Sequence, residues 1–180
     1  MPARIGAILF VDHCRAVEQH LECAYNIRVR TVDVPDPLTG DLDGAEIHLD
    51  FALTPEQRLF LLAHLFGHTV QWNVSPKAFD LGKLHEPPVS ETLLPEIMEY
   101  ERDAARYAMA MLHEIGITGA DQWLSDYTAC DMSYLRHYYR TGEKRSFRSF
   151  WRDHSVRIEP LRIPVFRPAK RIFRRDGIVI

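Results

Sequence analysis

Leu61-Leu62-Ala63-His64-Leu65-Phe66-Gly67-His68 is the stretch that decides how this chain folds. Two histidines four residues apart stand one above the other on a helix, so both imidazoles can reach a single metal ion. In the H-E-x-x-H pattern, the residue after the first histidine is a glutamate that activates a metal-bound water. Leu65 holds that position here. The stretch therefore offers two nitrogen ligands and withholds the usual base. With nine histidines in 180 residues, a pair at this spacing also arises by chance, and a histidine on an apolar helix is commonly a packed, hydrogen-bonded side chain. The surrounding sequence has to decide.

The helix carrying the pair has a clear start. Thr54 suits the N-cap, Pro55 the first helical position, and Gln57 completes a capping box three residues after Thr54. Apolar-rich helical sequence then runs to about Trp72. Upstream, residues 12–25 place Val17, Leu21 and Ala24 at helical spacing, and residues 27–34 alternate apolar and polar as a half-buried strand does. Residues 35–44 are dense in turn formers and end on Asp43-Gly44, a hairpin turn. Residues 45–50 read as the strand returning antiparallel to 27–34. Downstream, a loop carries Pro76, Gly82, Pro87 and Pro88. A second long helix is expected from Pro95 to Ile115, stopped by Gly116, and a third over residues 120–140, ending near Gly142. Residues 156–163 look strand-like and residues 170–180 like a small hairpin. The expected class is α+β, with a small antiparallel sheet and several helices.

Composition suits one globular domain with a tail: 180 residues, 46% hydrophobic. No apolar run approaches the ~20 residues that span a bilayer. The first ten residues lack the charged leader, long apolar core and cleavage site of a signal peptide, and read as mature protein. Cys14, Cys23 and Cys130 form no C-x-x-C pair, so neither a disulfide framework nor a thiolate metal site is indicated, and a cytoplasmic home is expected. The net charge of −3 hides a polarity. Residues 1–135 carry 9 basic and 21 acidic side chains, a balance of −12, whereas residues 136–180 carry 13 and 4, a balance of +9. Such a tail binds nucleic acid or an acidic partner, or folds onto its own acidic body; docking on the body is the expected outcome. Tyr134-Leu135-Arg136-His137-Tyr138-Tyr139-Arg140 interleaves rings and charges suited to stacking on bases, but at helical spacing its rings also form a packing stripe.

Two histidines need a third protein ligand, and the best donor lies on the next helix, in Glu101-Arg102-Asp103-Ala104-Ala105-Arg106-Tyr107-Ala108-Met109-Ala110-Met111-Leu112. With it the chain resembles the ImmA/IrrE family of metallopeptidases, whose motifs are an LAHELGH-type zinc helix followed by an ExEANxFAxxLL helix. Residues 62–68 match the first with Leu65 for Glu, and residues 101–112 match the second with Ala105 for Asn. The resemblance covers residues 12–115. It implies a minimal metallopeptidase, zincin-like domain over residues 1–142, with residues 143–180 as a basic extension. It also implies zinc as the cofactor and His64, His68 and Glu101 as its ligands.

Leu65 accepts a proton in no ionisation state, and general-base catalysis typically contributes ~100- to 10,000-fold. The reading expected from this is a metal-binding, metallopeptidase-like pseudoenzyme, lost or weakened as a hydrolase. Two alternatives stand beside it: a zinc hydrolase whose base has moved to Glu99, Asp103 or Glu86, and an interaction module working through the basic tail on protein or nucleic acid. The resemblance further implies a partner or substrate such as a transcriptional repressor. His85, in the loop, is a further group able to approach the metal.

Overall fold

A computed structural model describes residues 7–36, 38–83 and 85–171. In chain order these form α1 (Ala7–Tyr25), β1 (Arg28–Val32), β2 (Gly40–Leu42), β3 (Glu46–Asp50), α2 (Pro55–Val74), α3 (Pro76–Leu81), α4 (Leu93–Glu114), α5 (Asp121–Thr141) and a 3-10 turn at Phe147–Phe150. The α+β class expected from the sequence is present.

α2 is the axis of the molecule. Its capping box is formed: Gln57 donates its backbone N–H to the Thr54 hydroxyl at 3.3 Å, and Thr54 donates its own to Gln57 Oε1 at 3.0 Å. Every residue from Leu59 to Trp72 is buried, so the helix is wrapped on all sides. α1, the sheet and α4 surround it, and α5 packs on α4. A helix apolar all round belongs in a core, and His64 and His68 are among the few polar groups carried into it.

The sheet differs from expectation. Its order is β1-β3-β2, with β1 parallel to β3 and only β2 antiparallel to it. Asp43-Gly44 does reverse the chain, with Gly44 at φ 94° and Asp43 Oδ1 accepting from the N–H groups of Ala45 and Glu46. The strand it turns back from is the three-residue β2, hidden in the turn-rich segment, rather than β1. Alternation reports which side chains face the core and is silent on strand direction. α3 is a second departure: Ser75 accepts from Ala78 N–H and Pro76 starts a helix of six residues where a loop was expected. α5 ends as expected, on Gly142 at φ 73°. Tyr134 is buried and stacks on Tyr138, so that stretch packs as a stripe.

Residues 151–171 form no strand. They run as an extended strap, tied to the body one bond at a time. Asp126 accepts the N–H groups of Ser155 at 2.7 Å and His154 at 3.3 Å, and Ser125 Oγ accepts that of Ile158. Leu161 N–H reaches the Arg106 carbonyl, Phe166 stacks on Tyr25, and Ala169 N–H reaches Asn73 Oδ1. At the end Arg171 N–H meets the Asp43 carbonyl, and Lys170 lies 3.6 Å from the buried Asp43 carboxylate. Arg148, just before the strap, pairs with Glu56 at 2.9 Å. The tail thus lies on the acidic body. The expected hairpin over 170–180 falls outside the described residues apart from Lys170 and Arg171. Among the described residues, no helix is long and apolar enough to cross a membrane.

Asp126→Ala leaves two strap N–H groups without their acceptor. The expected loss is about 1–3 kcal/mol in urea unfolding, together with faster proteolysis at residues 151–158. Unchanged stability and cleavage would show that the strap is held elsewhere.

Candidate metal centre

α2 crosses α4 very closely. A β-carbon at Gly67 would collide with the backbone of Ala104, so only glycine allows this approach. The crossing carries Glu101, one turn before Ala104, over the two histidines. Glu101 Oε2 lies 2.9 Å from His64 Nε2 and 3.2 Å from His68 Nε2, and the two imidazole nitrogens are 3.0 Å apart. These are the three side chains that the sequence singled out, and they form a group able to hold a metal ion. His64 and His68 are buried and Glu101 is nearly so.

The surroundings orient the rings. His68 Nδ1 lies 2.9 Å from Gln71 Oε1, an atom that only accepts, so Nδ1 carries the proton and donates it. The Nε2 lone pair is then directed at the cluster. Gln71 is held in turn by its Nε2 donating to the Tyr100 carbonyl at 2.8 Å. Tyr100 stacks on the His68 ring at 4.4 Å, and its hydroxyl accepts from Trp72 Nε1. His64 stacks on Phe60, which stacks on Tyr127 of α5. Burial pushes the Glu101 carboxyl up, but the imidazoles of His68 and His64 outweigh it and hold the group well below the usual carboxylate range.

A tetrahedral ion bound at ~2.0–2.1 Å needs its ligand atoms ~3.3 Å apart. The separations of 2.9–3.2 Å are close to that spacing, and two nitrogens with one carboxylate oxygen suit zinc. The donor set therefore fits.

Other residues named from the sequence lie elsewhere. Leu65 is fully buried, and its δ-carbon sits 3.0 Å from where a β-carbon of Gly40 would be, so it fills the space under β2. Glu99 and Asp103 flank Glu101 by two residues, which on a helix turns each ~200° away from it. Glu99 is exposed in an outer groove and Asp103 accepts from Arg106 at 3.1 Å. Glu86 is exposed, and His85 Nε2 donates to the Leu81 carbonyl at 3.1 Å. None of these joins the metal-binding group. Ala105 is buried in the α4 face.

One residue beside the centre escaped the sequence reading. Asp131 of α5 is 2% exposed, its charge interacts with His64 and Glu101, and its Oδ1 has no hydrogen-bond partner. His64 Nδ1 is likewise buried and unpartnered. Burial, relieved in part by His64 and reinforced by Glu101, pushes the Asp131 carboxyl up to about 7. The signal was present in the sequence: Leu124, Tyr127, Asp131 and Tyr134 form one stripe at helical spacing, and a carboxylate within it has to be buried.

No protein-family model, curated protein or solved structure matches the chain.

The folded Asp131 carboxyl keeps its proton up to about pH 7, whereas the ordinary value for the group is 3.8. Between those values the folded state binds more protons, so Asp131 makes metal-free protein less stable as pH rises. Metal-free Asp131→Asn should therefore outlast the wild type above pH 7, by on the order of 4 kcal/mol. The gap should close towards pH 4 in denaturant titrations. A gap independent of pH would assign the effect to packing.

Proposed function

We propose that this chain is an ImmA/IrrE-like, metallopeptidase-fold protein that binds one zinc ion through His64, His68 and Glu101 and does not hydrolyse peptides. The observation that carries the reading is the convergence of those three donors beside a leucine at the position of the base. Zinc supplies Lewis-acid polarisation where a water and a base stand beside it. Here the Leu65 side chain is apolar and packed under β2, so no proton acceptor stands at that position. The role supported for the ion is to bind α2 to α4. A site that forms only in the folded chain converts binding energy into folding energy.

A displaced base at Glu99 or Asp103 loses support, because helical phase turns both side chains from the donors. A nucleic-acid role for the tail loses support too, because Arg148, Lys170 and the strap backbone are engaged on the body. A protein partner such as a transcriptional repressor is proposed on the motif resemblance alone.

Protein purified without an affinity tag should carry close to one zinc per chain by elemental analysis. His68→Ala should remove it, and a chelator should lower the melting temperature. Metal-free protein that refuses added zinc would sink the ligand assignment. The wild type should cleave no unfolded or repressor-like substrate, even with zinc bound. Chelator-sensitive turnover by the wild type would overturn the non-hydrolytic reading while leaving the metal site standing.

A further inference from the structure

A groove runs between α4 and α5, and none of the three metal donors lines it. It consists of two cavities, of about 450 and 460 Å³, that share Arg102 and Arg136 as walls. Arg140 stands at one end, and Arg106 and Arg157 at the other. The end arginines have partners: Arg106 meets Asp103 at 3.1 Å, Arg157 donates to Gln122 Oε1 at 3.2 Å, and Arg140 approaches Glu91 at 4.0 Å. Arg102 and Arg136, in the shared middle, have no ion pair or hydrogen bond among the described residues. Both are exposed. In one half Leu94 and Met98 are buried in the floor; apolar surface lies in the other half, where Met132 and Ile158 are half-buried. Val156, 90% exposed, extends this apolar surface.

Two unpaired guanidinium groups facing one concavity repel each other, and a ligand with negative charge at its centre relieves that repulsion. At one end Glu91 approaches Arg140 at 4.0 Å, and Glu99 and Glu159 also line the groove, so the guanidinium charge left without a partner lies in the middle. The α4 wall from Pro95 to Arg106 is about 17 Å long, more than a single small anion fills. Among the described residues no aromatic ring lines the groove, so bases would find nothing to stack on, and its glutamates oppose a run of phosphates.

We propose that the α4–α5 groove docks a short segment of a partner protein whose central residues are acidic and one of whose flanks is apolar. Arg102 and Arg136 hold the carboxylates, and the surface of Met132, Val156 and Ile158 takes the apolar flank. The assignment is independent of metal binding.

The test uses the full chain and a fluorescein-labelled peptide of about twelve residues, the length of helix that spans the groove. Its middle carries glutamates and one flank leucines. Fluorescence anisotropy at low salt should show saturable binding. Replacing the glutamates by glutamine, or the protein pair by Arg102→Gln/Arg136→Gln, should weaken it ~10-fold or more, and added salt should weaken it further. Absence of binding, or binding indifferent to both changes, would overturn the proposal. Single-stranded oligonucleotide of similar length that binds more tightly through the same arginines would overturn the peptide assignment. Circular dichroism checks that the double variant folds. A photo-crosslinker in the peptide gives a readout on the wild type alone: adducts are expected at Met132 or Val156, and adducts confined to other surfaces exclude the groove.

Discussion

The approach of α2 to α4 at Gly67 is the constraint on which the rest of the structure depends. With no side chain at Gly67, the α4 backbone settles on α2 at Ala104. One turn earlier, Glu101 then falls within hydrogen-bonding distance of both imidazoles. Ala104, Ala105 and Ala108 are buried along the same helix, and small side chains there sustain the approach. Any larger residue at Gly67 would part the helices and leave two histidines and a carboxylate buried without one another. Burial of such groups is tolerated only when they are paired or bound to a cation.

The pairing is incomplete in the protein alone. The two Nε2 atoms lie 3.0 Å apart, and only one proton can sit between them. Glu101 is held ionised by those same rings, while Asp131 and His64 Nδ1 have atoms left unsatisfied. A divalent cation would accept both lone pairs, offset the Glu101 charge and lower the cost of ionising Asp131 beside it, leaving His64 Nδ1 to a further acceptor. Ligating histidines usually direct their second nitrogen at a carboxylate or carbonyl; His68 already does so through Gln71, and Asp131 is the carboxylate whose charge His64 feels.

Much of this was legible because short-range chemistry encoded it. The capping box at Thr54, Gly116 and Gly142 set helix ends within a few residues, and the i, i+4 spacing put His64 and His68 on one face. Glu101 was legible only through a resemblance, since nothing local links it to a helix 33 residues upstream of it. What failed was longer range or a matter of phase. Alternation could not show that β1 runs parallel to β3. Glu99 and Asp103 lie two residues from Glu101 in sequence, but helical rotation sends them outward. The strap looked like a strand because its composition is β-like. It pairs with neither edge strand, and its hydrogen bonds go singly to Ser125, Asp126, Arg106 and Asn73.

The charge polarity of the chain takes on a definite meaning once the strap is in place. Part of the basic excess is consumed on the body, where Arg148 meets Glu56 and Lys170 meets Asp43. Arg157 is carried by the strap to the end of a groove whose other guanidinium groups come from α4 and α5. Among its described residues the tail neutralises some acidic sites and completes one local concentration of arginine. That arrangement separates two surfaces. The metal donors are enclosed between α2 and α4, with Leu65 packed away from solvent, so chemistry on a long substrate has little access. The arginine groove is open. The proposed metal role thus belongs to the closed centre and the proposed recognition to the open groove.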